Sequence, residues 1–108
     1  MSRYARRQDG SQREVLEALA FAGLSVRDNS RAGDGAPDAW VSFAGRTAAV
    51  EVKTPQTRYG QRLNAQQRAW RDGDEMRRPW AGEYVVLRTG ADALAWAVQF
   101  KRATGRAA

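Results

Sequence analysis

Two short runs with strand-like alternation, 38–44 and 47–54, most restrict the folds open to this chain. They predict a β-hairpin whose tight turn is either Gly45-Arg46 or Ala44-Gly45. Because side chains alternate along a strand and cross-strand partners share a face, either turn produces the same two surfaces. One surface is apolar and carries Ala39, Val41, Phe43, Ala48, Val50 and Val52. This face of the hairpin is therefore suited to a hydrophobic core.

The opposite face of the predicted hairpin is polar and carries Asp38, Trp40, Glu51 and Lys53. The first turn brings Asp38 opposite Lys53, and the second brings it opposite Glu51. Two neighbouring carboxylates repel each other unless a cation lies between them, and hard divalent cations prefer oxygen ligands. A Mg²⁺ ion there could polarise a phosphodiester and activate a water, which the lysine could orient or deprotonate. The alternative to a metal site is that Glu51-Val52-Lys53 belongs to a solvent-facing strand that forms a cross-strand ion pair with Asp38.

The choice of basic residues supports a chemical role for the lysine in this cluster. Only two of the 18 basic residues are lysines, Lys53 and Lys101. Lysine offers a compact charge whose pKa can fall far enough to handle a proton, which arginine does not. The chain has no histidine and no cysteine, which excludes a Ser-His-Asp triad, a histidine zinc site and disulfides. Hydrolysis would depend on carboxylates, lysine and Mg²⁺ or Mn²⁺.

The length of 108 residues is enough for one compact domain. We expect a flexible basic arm over 1–10, a single domain over 11–104 and a tail over 105–108. Capping residues and periodicity predict three helices: 11–22, 64–72 with Asn64 as N-cap, and one that starts within 89–92. Besides the hairpin, two further strands are predicted, over 24–27 and 83–88. The order helix, three strands, helix, strand, helix predicts a mixed α/β sandwich.

Two motifs resemble those of a known family. Gly35-Ala36-Pro37-Asp38, followed thirteen residues after the aspartate by Glu51-Val52-Lys53, resembles the signature of PD-(D/E)xK nucleases. The stretch 63–70, LNAQQRAW, is similar to the L-S-x-x-Q-x-x-W stretch of the VRR-NUC branch, with Gln67 at the glutamine position. The resemblance covers roughly 11–90. It implies an α/β, restriction-endonuclease-like αβββαβ core with a mixed central sheet and a C-terminal helix.

The resemblance also implies an activity, which is hydrolysis of DNA phosphodiesters with Mg²⁺ or Mn²⁺, of the VRR-NUC or Holliday-junction-resolvase-like type. Asp38, Glu51 and the backbone carbonyl of Val52 would then be metal ligands. Lys53 would act on the attacking water, and Gln67 would reach the same centre. A catalytically inactive nucleic-acid-binding module on the same fold is the alternative.

Family members often add a glutamate from the first helix to this centre. Glu14 is the candidate in this chain, and Glu17 and Gln12 are the alternatives. However, Ser11-Gln12-Arg13-Glu14 also has the form of a helix capping box, which would give Glu14 a purely structural role. The sequence leaves the two roles of Glu14 equally open.

The net charge of +6 and a pI near 10.7 favour a polyanionic partner, most commonly nucleic acid. Arginines in or beside the loops around the hairpin are predicted to contact DNA phosphates, namely Arg27, Arg31, Arg58, Arg62 and Arg68. Because each chain has one centre, cutting both strands would favour a homodimer.

No apolar run approaches the roughly 20 residues that span a bilayer, and the N-terminus lacks a signal-peptide pattern. We therefore expect no membrane partner and a cytoplasmic location.

Overall fold

The computed structural model describes residues 10–54 and 62–107, in which three strands follow the first helix and a second helix separates them from the fourth strand. In chain order the elements are α1 (Gly10–Phe21), β1 (Ser25–Asp28), β2 (Ala39–Phe43), β3 (Arg46–Val52), α2 (Ala65–Asp72), β4 (Glu83–Leu87) and α3 (Gly90–Ala107). This order of elements is the predicted one. The prediction of a small α/β domain is confirmed.

The four strands form one mixed sheet in the order β1-β2-β3-β4. The first three strands pair antiparallel, whereas β3 and β4 pair parallel. A parallel pair needs a crossover connection, and α2 lies within that connection. The sheet therefore combines a local three-stranded meander with one β-α-β unit.

The β2–β3 turn is formed by Ala44 and Gly45, because Phe43 pairs with Arg46. Both turn residues have positive φ, 52° for Ala44 and 83° for Gly45. Two successive positive φ values are typical of the type I′ turn, whose twist matches that of a hairpin. The alternative turn at Gly45-Arg46 is wrong, and Arg46 is the first residue of β3.

The hydrophobic core lies between one face of the sheet and the helices α1 and α3. The apolar face of the hairpin supplies buried small and branched side chains, and the two helices contribute residues at helical spacing. The side chains buried here include Val15, Leu19, Ala39, Val41, Ala48, Val50, Ala93, Ala97 and Phe100. The predicted core surface of the hairpin is confirmed.

The other face of the sheet is covered by α2 and by the segment that follows it. Trp40 of β2, Trp70 of α2 and Trp80 form a half-buried aromatic cluster with ring centroids 5.1–6.0 Å apart. Tyr84 of β4 extends the cluster, and its ring centroid lies 6.0 Å from that of Trp70. Because tilted aromatic pairs at this distance attract one another, the cluster attaches α2 to the sheet.

The start of α1 and the end of α3 differ from the sequence prediction. Helix α1 begins at Gly10, so Ser11 is a helical residue and its interpretation as an N-cap is wrong. Helix α3 continues to Ala107, into the predicted tail. The N-cap at Asn64 is confirmed, while the predicted arm lies outside the described residues apart from Gly10. Within the described ranges, no helix combines the length and apolar character that crossing a membrane requires.

Candidate metal centre

Asp38 directly precedes the first residue of β2, where the loop enters the sheet. The β2–β3 register places it opposite Glu51, which is the second of the two predicted alternatives. Its Oδ2 accepts a hydrogen bond from the backbone N–H of Val52 at 2.8 Å. Its own carbonyl accepts a hydrogen bond from the backbone N–H of Asn29 at 2.7 Å. Both the backbone and the carboxylate of Asp38 are therefore held in place.

Glu51 is a charged side chain buried in the middle of the sheet, with only 2% of its surface exposed. Its Oε2 accepts a hydrogen bond from Nε2 of Gln67 at 3.0 Å. Its other oxygen, Oε1, is buried and accepts no hydrogen bond from any N–H or O–H group of the described residues. Buried polar atoms are almost always satisfied, so this oxygen needs a partner, which either a proton shared with Asp38 or a bound cation would supply.

The carboxyl groups of Asp38 and Glu51 share a hydrogen bond, and both have raised pKa values. Burial is the main cause for each residue. Burial and the negative charge of Asp38 raise the pKa of Glu51 to about 9. For Asp38, burial outweighs the opposing hydrogen bonds to Glu51 and Val52. Without a cation, the pair therefore keeps a proton at neutral pH.

A small hard cation fits this donor set. The centre offers carboxylate oxygens, one of which is buried without a hydrogen-bond donor, and the negative charge of the pair is unfavourable without compensation. Within 10–54 and 62–107, no three His, Cys, Asp or Glu residues cluster closely enough to hold a metal. A centre with two carboxylates suits Mg²⁺ or Mn²⁺, since Mg²⁺ is typically bound by one or two carboxylates together with water and phosphate oxygens.

Lys53 follows the last residue of β3 and lies on the same face as Glu51 by strand alternation. Its backbone N–H donates a hydrogen bond to the carbonyl of Leu87 at 2.9 Å, which continues the β3–β4 ladder. The side chain is half-exposed, and its positive charge lowers the pKa of both Asp38 and Glu51. The positive charge of Lys53 therefore acts directly on the carboxyl pair.

Gln67 has a structural role and a role at the centre at the same time. It forms a reciprocal capping box with Asn64, in which each side chain accepts a hydrogen bond from the other residue's backbone N–H at 2.9 Å. Its remaining amide group, Nε2, donates to Glu51. The predicted approach of Gln67 to the centre is therefore present, and the start of α2 fixes its position.

Gly35 sets the distance between the loop before Asp38 and the first turn of α2. A Cβ atom at this position would lie 2.3 Å from the carbonyl oxygen of Gln66 and 2.9 Å from the backbone nitrogen of Gln67. The φ of Gly35 is also positive, at 78°. Only glycine permits this approach without displacing the helix, so Gly35 helps to bring Gln67 to Glu51.

Glu14 makes its hydrogen bond away from the carboxyl pair. Its Oε2 accepts a hydrogen bond from the backbone N–H of Gly90 at 2.7 Å, at the first residue of α3. The carboxylate therefore compensates the positive end of a helix. The predicted capping box with Ser11 is wrong, since the partner of Glu14 is 76 positions away. Neither Glu14 nor its alternative Glu17 forms a three-residue acidic group with the carboxyl pair.

The predicted DNA-contacting arginines lie on two sides of the centre. Arg27 pairs with Trp40, so it is on the same face of the sheet as the carboxyl pair, and it is exposed. Arg31 is exposed in the loop after β1. Arg62 and Arg68 flank the start of α2. Arg58 lies outside the described residues.

Two further arginines and a tyrosine lie near the centre, and none of them was among the predicted site residues. Arg71 and Arg88 line a groove of about 350 Å³ together with Arg62 and Arg68. The Tyr84 hydroxyl is buried without a hydrogen-bond partner among the described residues, and burial raises its pKa to about 12. Alternation along the 83–88 strand could have placed Tyr84 and Arg88 on one face. Whether that face is the one that carries Glu51 depends on the parallel pairing of β4 with β3, which no local pattern reveals.

The comparisons with known proteins return no match, either to a protein family, to a curated protein or to a solved structure.

Proposed function

We propose that this protein is a metal-dependent DNA endonuclease with a restriction-endonuclease-like core of the PD-(D/E)xK, VRR-NUC-like type. The observation that carries the proposal is the buried pair Asp38–Glu51, with raised pKa values and an oxygen that lacks a hydrogen-bond donor. Burying such a pair reduces the stability of the fold, so a functional role is the simplest reason for its presence. The predicted order of elements and the mixed sheet support the proposed core.

Each residue at the centre has a defined part in the proposed reaction. Asp38 and Glu51 would hold Mg²⁺ or Mn²⁺, which when bound supplies Lewis-acid stabilisation of the phosphate and a more acidic water. Lys53 would orient the attacking water, accept its proton or stabilise charge that develops on the phosphate. Gln67 keeps Glu51 in its ligating orientation through the 3.0 Å hydrogen bond. The carbonyl of Val52 stays a predicted additional ligand.

The proposal is tested by incubating branched, linear and single-stranded DNA with the protein in Mg²⁺ or Mn²⁺. We expect cleavage of at least one substrate by the wild type, no cleavage in EDTA, and loss of cleavage in Glu51→Gln. Glu75→Gln is the matched control, because it makes the same glutamate-to-amide replacement at an exposed position. Undiminished cleavage by Glu51→Gln, or no cleavage of any substrate by the wild type, rejects the proposal. Sedimentation with and without duplex DNA checks the predicted homodimer.

A DNA-binding domain without catalysis is the second candidate, and the placement of Glu14 favours it. With Glu14 bonded to Gly90, the described residues provide two carboxylates at the centre rather than three. This candidate predicts salt-sensitive DNA binding without turnover. Isothermal titration with Mn²⁺ distinguishes the two, since only the nuclease requires Mn²⁺ binding that Glu51→Gln removes.

A further inference from the structure

Four arginines converge on one groove beside the carboxyl pair. The arginine groove, as we define it, is lined by Arg62, Leu63, Arg68, Arg71, Val86 and Arg88 and has a volume of about 350 Å³. Its described lining contains no acidic side chain. Guanidinium groups around a concavity suit a phosphate, because the planar fork donates two parallel hydrogen bonds to its oxygens.

The parallel pairing of β3 and β4 places the arginine groove next to the metal centre. Val86, at its floor, is the register partner of Glu51. Arg88 follows Leu87 on β4 just as Lys53 follows Val52 on β3, and Val52 and Leu87 are register partners. Since adjacent strands are about 4.8 Å apart, the groove begins one strand away from Glu51 and Lys53.

Two of the guanidinium groups are oriented by contacts within the protein. Arg68 donates a hydrogen bond from one terminal nitrogen to the carbonyl of Leu63 at 2.6 Å. Arg71 is held by Asp72 through two hydrogen bonds of 2.7 and 3.0 Å, and lies 6.0 Å from the centre of the Tyr84 ring. Asp72 pairs with Arg71 and is not itself part of the groove lining. Groups that are already oriented lose less conformational entropy when a ligand binds.

We propose that the arginine groove binds the phosphate next to the scissile phosphate on the same DNA strand. This inference depends on the proposed function, because it uses the carboxyl pair as the position of the cut. A strand whose reacting phosphate lies at Asp38 and Glu51 and that continues across β4 would bring its next phosphate to the groove, whose floor residue Val86 is the register partner of Glu51. The preferred substrate is then a strand with a further phosphodiester next to the cut, on the side that crosses β4, and the groove positions it without reading bases.

The test is the salt dependence of binding to a labelled single-stranded oligonucleotide in EDTA, followed by fluorescence anisotropy. We expect Arg68→Gln and Arg88→Gln each to reduce the slope of log K against log salt by about 0.7, the value for one phosphate contact on a single strand. Arg102→Gln is the matched control, because Arg102 is exposed on α3, which packs on the opposite face of the sheet. It removes the same charge, and we expect its slope to equal that of the wild type.

Equal slopes for the groove variants and the wild type would overturn the inference, as would an equal reduction in Arg102→Gln, which would indicate diffuse charge. If Arg68→Gln fails to fold because the bond to Leu63 is lost, Arg62→Gln replaces it, since Arg62 is exposed. The Mn²⁺ affinity of the groove variants should equal that of the wild type. Failure of the proposed function is separate, because it appears as undiminished DNA cleavage by Glu51→Gln, whatever the salt slopes are.

Discussion

Replacing Glu51 by glutamine should make the metal-free protein more stable while removing its activity. Glu51 is 2% exposed, and its pKa rises from 4.5 to about 9 on folding. At pH 7 the folded protein therefore binds a proton at this position that the unfolded chain does not. This raised pKa reduces stability progressively as the pH rises from about 4.5 towards about 9, by up to about 1.4 kcal/mol per pH unit.

Glutamine has nearly the shape of the protonated glutamate and does not titrate. Its oxygen can still accept the hydrogen bond from Gln67, and its amide can donate to Asp38. At pH 7 the full linkage effect is about 3 kcal/mol, and sharing of the proton with Asp38 reduces it to roughly 2 kcal/mol. For a domain of this size, that corresponds to an increase in Tm of roughly 10 °C.

Urea denaturation in EDTA at several pH values between 5 and 8 measures this effect. The wild type should lose stability across this range, whereas Glu51→Gln should lose much less, so the difference between them grows with pH. Added Mn²⁺ should stabilise the wild type at pH 8 and leave Glu51→Gln nearly unchanged. A variant that is less stable than the wild type throughout would refute the reasoning. That result would mean that Glu51 is ionised and paired with Lys53 in the folded protein.

Three further predictions concern the residues around the carboxyl pair. Lys53→Arg keeps the charge but replaces an amine, which can exchange a proton, by a guanidinium, which cannot. Single-turnover cleavage should therefore fall by about 100-fold or more while DNA affinity is retained, and an unchanged rate would restrict Lys53 to an electrostatic role. Gly35→Ala should displace α2 and weaken Mn²⁺ binding in calorimetry. Gly33→Ala is its control, because it has the same sign of φ, at 75°, but no atom within 4 Å, and equal effects of the two would exclude the steric explanation. Glu14→Ala should destabilise the fold by about 1 kcal/mol in urea denaturation through loss of the bond to Gly90, whereas Glu14→Gln should remain stable and cleave DNA. Loss of cleavage in a stable Glu14→Gln would instead make Glu14 a ligand.

The polar face of the hairpin could be predicted because strand alternation is a local property. Asp38, Glu51 and Lys53 share a face with either turn, so the uncertainty between the two turns did not affect the site. The turn itself could not be decided, since both candidates contain Gly45. The structure selects the one in which Ala44 also adopts a positive φ, which is uncommon for alanine.

Contacts between distant parts of the chain could not be predicted. Glu14 has a convincing local motif in Ser11–Glu14, yet its partner is Gly90, and nothing between the two residues indicates this contact. Lys101 likewise makes a long-range contact that no local pattern indicates. Its Nζ donates to the carbonyl of Ala22 at 2.7 Å, near the end of α1. This role accounts for the second lysine and leaves Lys53 as the lysine at the carboxyl pair.

Helix α2 covers Glu51, which is the most deeply buried carboxylate of the described residues. Of the described helices, α2 is nevertheless the least buried. None of its eight residues is fully buried, although it supplies Gln67 to the centre and Trp70 to the aromatic cluster. Segments with few buried contacts open locally at much lower free energy than the strands of a core. We therefore expect the amide protons of α2 to exchange with deuterium well before those of β3. A cation can then reach Glu51 by a transient lifting of one short helix, while the hairpin that holds both carboxylates stays folded.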